Sequence, residues 1–447
     1  MTKYNSPEQV SFCMAYAANV CMLMHGTQAE LQKLASERLK AIFSNPDMQT
    51  LIGTWEIVWG PVVSEHNPSR KVADNAMFVV KSQDAHESDS YIIAIAGTNP
   101  ISLYGWLVED LQVNQTKPWN NGQPWNAPED QTSDIRISAG TSKGLKILCE
   151  MQSEGQSLIE YLNELTRTAT KPVLINVCGH SLGGALSPVF ALSLSDQRSK
   201  WDEQNIATLS VTPFAGPTTG NLEFAQYYDS QLGAVTNRVW NALDLVPHGW
   251  EESLIEKART FYEPAIKANI LINLFIDFFK FLSRKTNYQH VRPQEVSFQV
   301  GYYQPVETKL EHFLIDELSE LIAKLIFHYQ GHEDPSQLSI KTIANIVKSR
   351  IEEIIAQNQS DNQQPEKRNH EAEVETYADR IVVELQKEKP DLEKKDLKDF
   401  IIKILSSLLD FIKYMLQVVH QHVYAYIDYL EVSEFLNIFN NINSEIT

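Results

Sequence analysis

The residues with the clearest chemical reach lie in VCGHSLGGAL, residues 177–186. Ser181 sits in Gly179-His180-Ser181-Leu182-Gly183, a G-x-S-x-G pattern between an apolar run and an Ala-rich run. A serine hydroxyl is a weak nucleophile until a base takes its proton and an acid holds that base. A serine on a sharp strand-to-helix turn needs neighbours without side chains, because the chain passes close to itself there. Gly179 and Gly183 meet that need, with His180 completing the elbow. The first N–H groups of the helix that follows favour negative charge and can hold an oxyanion. In such an arrangement the acid follows the serine and the histidine comes last. Asp244 in RVWNALDLVPH fits the acid, since it ends an apolar run just before Pro247. The chain has 12 histidines. Those weighed as the base are His290, His312, His328, His420 and His422. The plainer reading is an idle serine at a Gly-rich helix start and a solvated turn aspartate.

The elements that must position these residues alternate. WEIVWGPVV (55–63), AMFVVKS (76–82) and YIIAIAGTN (91–99) read as strands, rich in β-branched and aromatic residues. DIRISAG predicts a short strand, followed by a helix to about Leu165. KPVLINVCGHS is the next buried strand and LGGALSPVFALSLSD the next helix. IATLSVTPFAGP predicts a strand, NLEFAQYYDSQLG a helix and VTNRVWNALDLVP a strand. Near-continuous apolar strands alternating with helices predict an α/β fold, a mostly parallel sheet covered on both faces. Two helices precede it, opened by capping boxes at Ser6/Gln9 and Thr27/Glu30.

After Pro247 the pattern turns helical. ILINLFIDFFKFL (270–282) is apolar except for Asn273, Asp277 and Lys280, which share one face. A largely buried helix is the favoured reading, and a lid or lipid-contacting helix the sharper one. A last strand is expected over 295–304, helices over 310–357, and a flexible linker at about 356–373. DLKDFIIKILSSLLDFIKYMLQVV (396–419) predicts one amphipathic helix with a polar stripe from Asp399 to Gln417. The expected organisation is a hydrolase domain of 1–301 with 416–447, interrupted by an α-helical insertion over 302–415.

A formal charge of −19 argues against nucleic acid as a partner. The four cysteines fit neither a disulfide framework nor a metal pattern. No apolar run reaches the roughly 18 residues of a membrane span. The N-terminal stretch reads as an amphipathic helix rather than a signal peptide. The expectation is a cytoplasmic protein, with secretion by another signal left open.

INVCGHSLGGALS, FAGPTTGNLEFAQYY and RVWNALDLVPH together resemble the class 3 lipases, the family of the fungal triacylglycerol lipases. YIIAIAGTNPISLYGWLVEDL resembles that family's strand, oxyanion turn and lid segment, with Ala96 where the family usually has Arg. The resemblance implies an α/β-hydrolase fold, carboxylic ester hydrolysis, a lipid or other ester substrate, transient lipid-surface contact and no cofactor. By position it implies that Thr98 and the Leu182 N–H hold the oxyanion. His290 resembles a family histidine that is not the base. QHVYAYIDYL (421–430) resembles the place where the family's base opens the final helix, with a tyrosine four residues on. That implies His422, which follows Asp244 by 178 residues, a separation longer than the family norm. An esterase of small soluble esters, or an interaction protein on this scaffold, are the alternatives. A peptidase or acyltransferase is a lesser one.

Overall fold

The computed structural model describes residues 3–446 except 5, 23, 65–72, 74, 85–86, 98–111, 129–131, 285, 304–311, 332–334, 361–369, 389 and 391–392. The chain divides into two compact units: 1–254 with 283–300 and 421–447, and 255–282 with 301–420.

The first unit is built on a sheet of β1 (Trp55–Ser64), β2 (Asn75–Ser82), β3 (Asp89–Ile95), β4 (Val173–His180) and β5 (Ala207–Phe214), in that spatial order. β1, β2 and β3 run antiparallel, because their connections are too short for a crossover helix. β3, β4 and β5 are parallel, with Ile95 opposite Gly179 and His180 opposite Phe214. Single parallel bridges carry the sheet on, from Val211 to Thr236, Phe214 to Val239 and Asn241 to Phe298. The fold is therefore the mostly parallel sheet with flanking helices that the sequence implied, extended by an antiparallel run at one edge.

Two expected strands are only bridges. Residues 236–241 run beside β5 and Phe298 through these bridges, and 242–247 are spent on turns. The Asn241 side chain accepts from the Leu243 N–H at 3.1 Å, and the Asp244 N–H bonds back to the Asn241 carbonyl at 3.1 Å. Pro247 then falls in the one-turn helix Val246–His248. Likewise, among the described residues of 295–304, the bridge to the sheet is at Phe298. The helix expected to reach Leu165 is two, Ala139–Glu150 and Leu158–Thr168, split by a hairpin at Gln152–Ser157.

The helix Leu182–Asp196 is buried from Leu182 to Leu194 and packs on β4 and β5. Pro7–Ala17 lies on β4 as part of a buried apolar cluster, and Asn176 donates to Ser11 Oγ at 3.0 Å. Its capping box is formed, as is that of Gln28–Ser44. The C-terminal helices Tyr424–Tyr429 and Ser433–Glu445 join this cluster through Tyr426, Phe435 and Phe439, with Phe12 stacked parallel to Tyr426. Burying aromatic area of this size is a large apolar contribution.

The second unit is helical. Ile270–Ser283 buries Leu271, Ile272, Phe275, Ile276 and Phe279. Its polar stripe is paired: Arg259 reaches the Asn273 and Asp277 side chains, and Lys280 meets Glu256 at 3.0 Å. The helix expected over 396–419 is two, Lys394–Ser406 and Leu408–His422, broken at Ser407. Gln417, expected on the exposed stripe, is buried and bonds the Tyr303 backbone. Of the linker expected at 356–373, residues 356–360 finish the helix Gln337–Ser360 and 370–373 open His370–Glu388. The remaining 361–369 lie outside the described residues.

Candidate active site

Ser181 links the end of β4 to the helix Leu182–Asp196, with φ 61° and ψ −119°. A left-handed φ at a non-glycine residue costs on the order of 1–3 kcal/mol and persists only where the surroundings enforce it. Here they do. The Ser181 N–H donates to the Phe214 carbonyl at 3.0 Å, and its carbonyl accepts from Ala185 at 3.0 Å. A side chain on Gly179 would collide with the Gly183 backbone, and one on Gly183 with the Ile95 carbonyl. The backbone can take this turn only with glycine at both positions. Leu182 is the first helical residue, so its N–H has no acceptor within the helix. Thr98 lies outside the described residues, as does the lid-like stretch 99–111.

Asp244 is fully buried, and three groups hold its carboxylate. Oδ2 faces His422 Nδ1 at 2.9 Å and accepts from the Tyr426 hydroxyl at 3.0 Å. Oδ1 accepts from the Val246 N–H at 3.0 Å. Burial pushes the carboxyl above its ordinary range, and the His422 imidazole and these donors oppose that shift. His422 ends the helix Leu408–His422 instead of opening one, and the chain bends at Val423 before Tyr424–Tyr429.

Backbone and side-chain bonds fix that bend. His180 Nε2 lies 2.8 Å from the His422 carbonyl, and the two rings are 4.7 Å apart. Burial, then the neighbouring His422, pushes His180 down to about 3, so its ring is neutral and Nε2–H is the donor. Asn241 Nδ2 donates to the Gln421 carbonyl at 3.0 Å and to Gln421 Oε1 at 2.7 Å. The Tyr426 hydroxyl also accepts from the Asn241 N–H at 3.0 Å. Two polar atoms in this cluster, Ser181 Oγ and His422 Nε2, are buried with no hydrogen-bond partner. A buried polar atom without a partner is rare and calls for an explanation.

The other candidate histidines are engaged elsewhere. His290 Nε2 meets the Gly216 carbonyl at 2.9 Å, and burial holds its pKa well below the usual value. His328 packs against Phe278 and Phe281, and His420 stacks on Tyr303. The His312 side chain is not among those described. Of the residues that position this cluster, Tyr426 entered the sequence reading only as the tyrosine four residues after His422, and Asn241 and Gln421 were not singled out. Tyr426 carried a signal, its i+4 spacing from His422. Asn241 and Gln421 carried none, because 180 residues separate them.

Residues 92–252 match the lipase (class 3) family. The class 3 segment thus includes Thr98, the elbow and Asp244, and stops well short of His422. The solved structure of M37 lipase is 28% identical, covering 75% of this chain and 95% of that one, with a TM-score of 0.58. Lipase II from Rhizopus niveus is 16% identical over 56% of this chain and 78% of its own, with a TM-score of 0.35. Phospholipase A1-Igamma2, chloroplastic, of Arabidopsis thaliana is 35% identical over 74 residues, 16% of this chain. That match spans 14% of the relative's own length. Among the described residues no helix is long and apolar enough to cross a membrane, and no cluster of His, Cys, Asp or Glu could hold a metal ion.

Proposed function

We propose that this chain is a serine hydrolase of carboxylic esters, with acylglycerols or phospholipids as substrates. Ser181 is the nucleophile, His422 the base and Asp244 the acid. The observation that carries this reading is the pair of unpartnered buried atoms. With Nδ1 committed to Asp244, His422 keeps only Nε2 for a further proton, and Ser181 Oγ has no other partner.

The steps follow from that chemistry. Ser181 Oγ attacks the ester carbonyl as His422 Nε2 takes its proton. Asp244 fixes the tautomer and stabilises the imidazolium. The Leu182 N–H, with Thr98 by resemblance, holds the oxyanion. The imidazolium returns its proton to the leaving alcohol, and water then cleaves the acyl-enzyme through the same base. A lipid ester is supported by the class 3 match and by the names of the M37 lipase and the plant phospholipase A1.

Ser181→Ala should remove ester hydrolysis by a factor on the order of 10⁴ or more while the protein stays folded. Turnover retained by that variant would take Ser181 out of the mechanism. Rates on long-chain glycerides, diacyl phospholipids and short soluble esters, below and above the micellar threshold, test the substrate class. Preference for the short soluble esters would assign an esterase.

A further inference from the structure

The segment that leads to Asp244 also carries an unanswered cation. Arg238 is 5% exposed, yet its side chain makes no hydrogen bond, and Nη2 is sealed from solvent without an acceptor. Its guanidinium lies over the Trp240 ring, with Cζ 4.5 Å from the ring centre. Burial pushes its pKa down to about 9, opposed by its electrostatic interactions with Tyr426, Glu251 and Glu295. Leaving a charged group buried and unbonded is costly, and folds usually answer it with a carboxylate or carbonyl. Here the nearby acids are otherwise engaged. Glu295 pairs with Arg292, and Glu8 accepts from Asn237 at 2.8 Å.

Arg238 lines a pocket of about 390 Å³ within the first unit. That is within the size range of small-molecule sites. Trp240, Phe298 and Tyr429 also line it, with Phe298 and Tyr429 stacked parallel at 3.9 Å. So do Glu8, Glu295 and Glu431, all nearer to solvent than Arg238. We infer that this pocket binds a small zwitterion, its singly charged oxyanion on Arg238 and its cationic nitrogen among the three glutamates.

The chemistry selects that class. A guanidinium presents a planar fork that matches a carboxylate or a phosphodiester with two parallel bonds. The three glutamates repel a dianion and attract a cation. The stacked aromatic pair offers its faces to an ammonium group. An amino-acid carboxylate and a phosphocholine head group share this pattern of an inner anion and an outer cation.

The test uses the full chain, titrated by calorimetry and thermal unfolding with 4-aminobutyrate, glycerophosphocholine and inorganic phosphate at matched ionic strength. At least one zwitterion should bind the wild type, and which one distinguishes the amino-acid from the lipid-head source. Phosphate should not compete. Arg238→Gln should weaken that binding by about tenfold or more, and Arg238→Lys by less, since it keeps the charge without the fork. Without ligand, Arg238→Gln should melt no lower than the wild type, because it removes an uncompensated buried charge. The inference falls if neither zwitterion binds, if phosphate binds equally well, or if Arg238→Gln binds unchanged. A lower melting temperature for unliganded Arg238→Gln would assign the arginine a structural role instead.

Discussion

Two stretches meet at the candidate site, and they are held by opposite means. The elbow, 179–184, is fixed by backbone against backbone: the Ser181 N–H on the Phe214 carbonyl, and glycines where any Cβ would strike neighbouring backbone. The returning stretch, 421–426, is fixed by side chains: Asn241 on Gln421, His180 on the His422 carbonyl, Asp244 on His422 and Tyr426. Excluded volume is stiff and allows almost no substitution. Hydrogen bonds are individually modest, about 1 kcal/mol net, and their loss is shared among several. The same site thus has one half that should fail abruptly and one that should weaken by degrees.

The elbow offers the larger effect. Gly183→Ala adds a Cβ that meets the Ile95 carbonyl and the Ala96 backbone, neither of which can swing aside. Overpacking of this kind costs about 3 kcal/mol or more. The variant should lose most of its soluble, folded yield and all measurable hydrolysis, read by thermal unfolding and ester turnover. A variant that melts with the wild type would show the elbow to be softer than its packing implies.

That contrast also explains what the sequence could reveal. The glycines, the serine and the strand and helix around them lie within 24 residues, Val173 to Asp196, and local pattern carries them. Asp244 was singled out through its apolar run and Pro247, and that run meets the sheet through single bridges instead of a full ladder. What was illegible depends on distant partners. Gln417 reads as polar surface until Tyr303 is seen to bond it. The break at Ser407 follows no proline or glycine. The imidazole at 422 came from resemblance, not from spacing, and Asn241 could be read only once its partner at 421 was in place. The antiparallel run β1–β3 was hidden because apolar strands do not announce their direction.

The returning stretch should yield to smaller changes. Tyr426→Phe removes one of three groups on the Asp244 carboxylate and leaves the Asn241 N–H buried without an acceptor. An unsatisfied buried donor costs about 1–3 kcal/mol. Stability should fall by that amount. If Asp244 orients the base as proposed, kcat should fall about tenfold with KM little changed. A purely structural tyrosine would lower the melting temperature and leave kcat alone. A kcat drop as large as that of Ser181→Ala would instead make this half as brittle as the elbow.

The last effect is one of pH, at a single ring that holds the returning stretch. His180 is held neutral, its pKa lowered from 6.5 to about 3 by burial and then by His422. Below 6.5 the unfolded chain binds a proton at this position that the folded chain refuses, so stability drops as pH falls from 6.5 toward 3. The slope reaches about 1.4 kcal/mol per pH unit for one such group. His290 adds in the same direction. His180→Gln can still donate an N–H to the His422 carbonyl but cannot titrate. The variant's melting temperature should therefore gain on the wild type's as pH drops from 8, where the His180 ring is neutral in both states, to 5. Parallel curves across that range would mean that the folded chain takes up the proton at His180 as readily as the unfolded one, so that burial beside the His422 carbonyl does not hold this ring neutral.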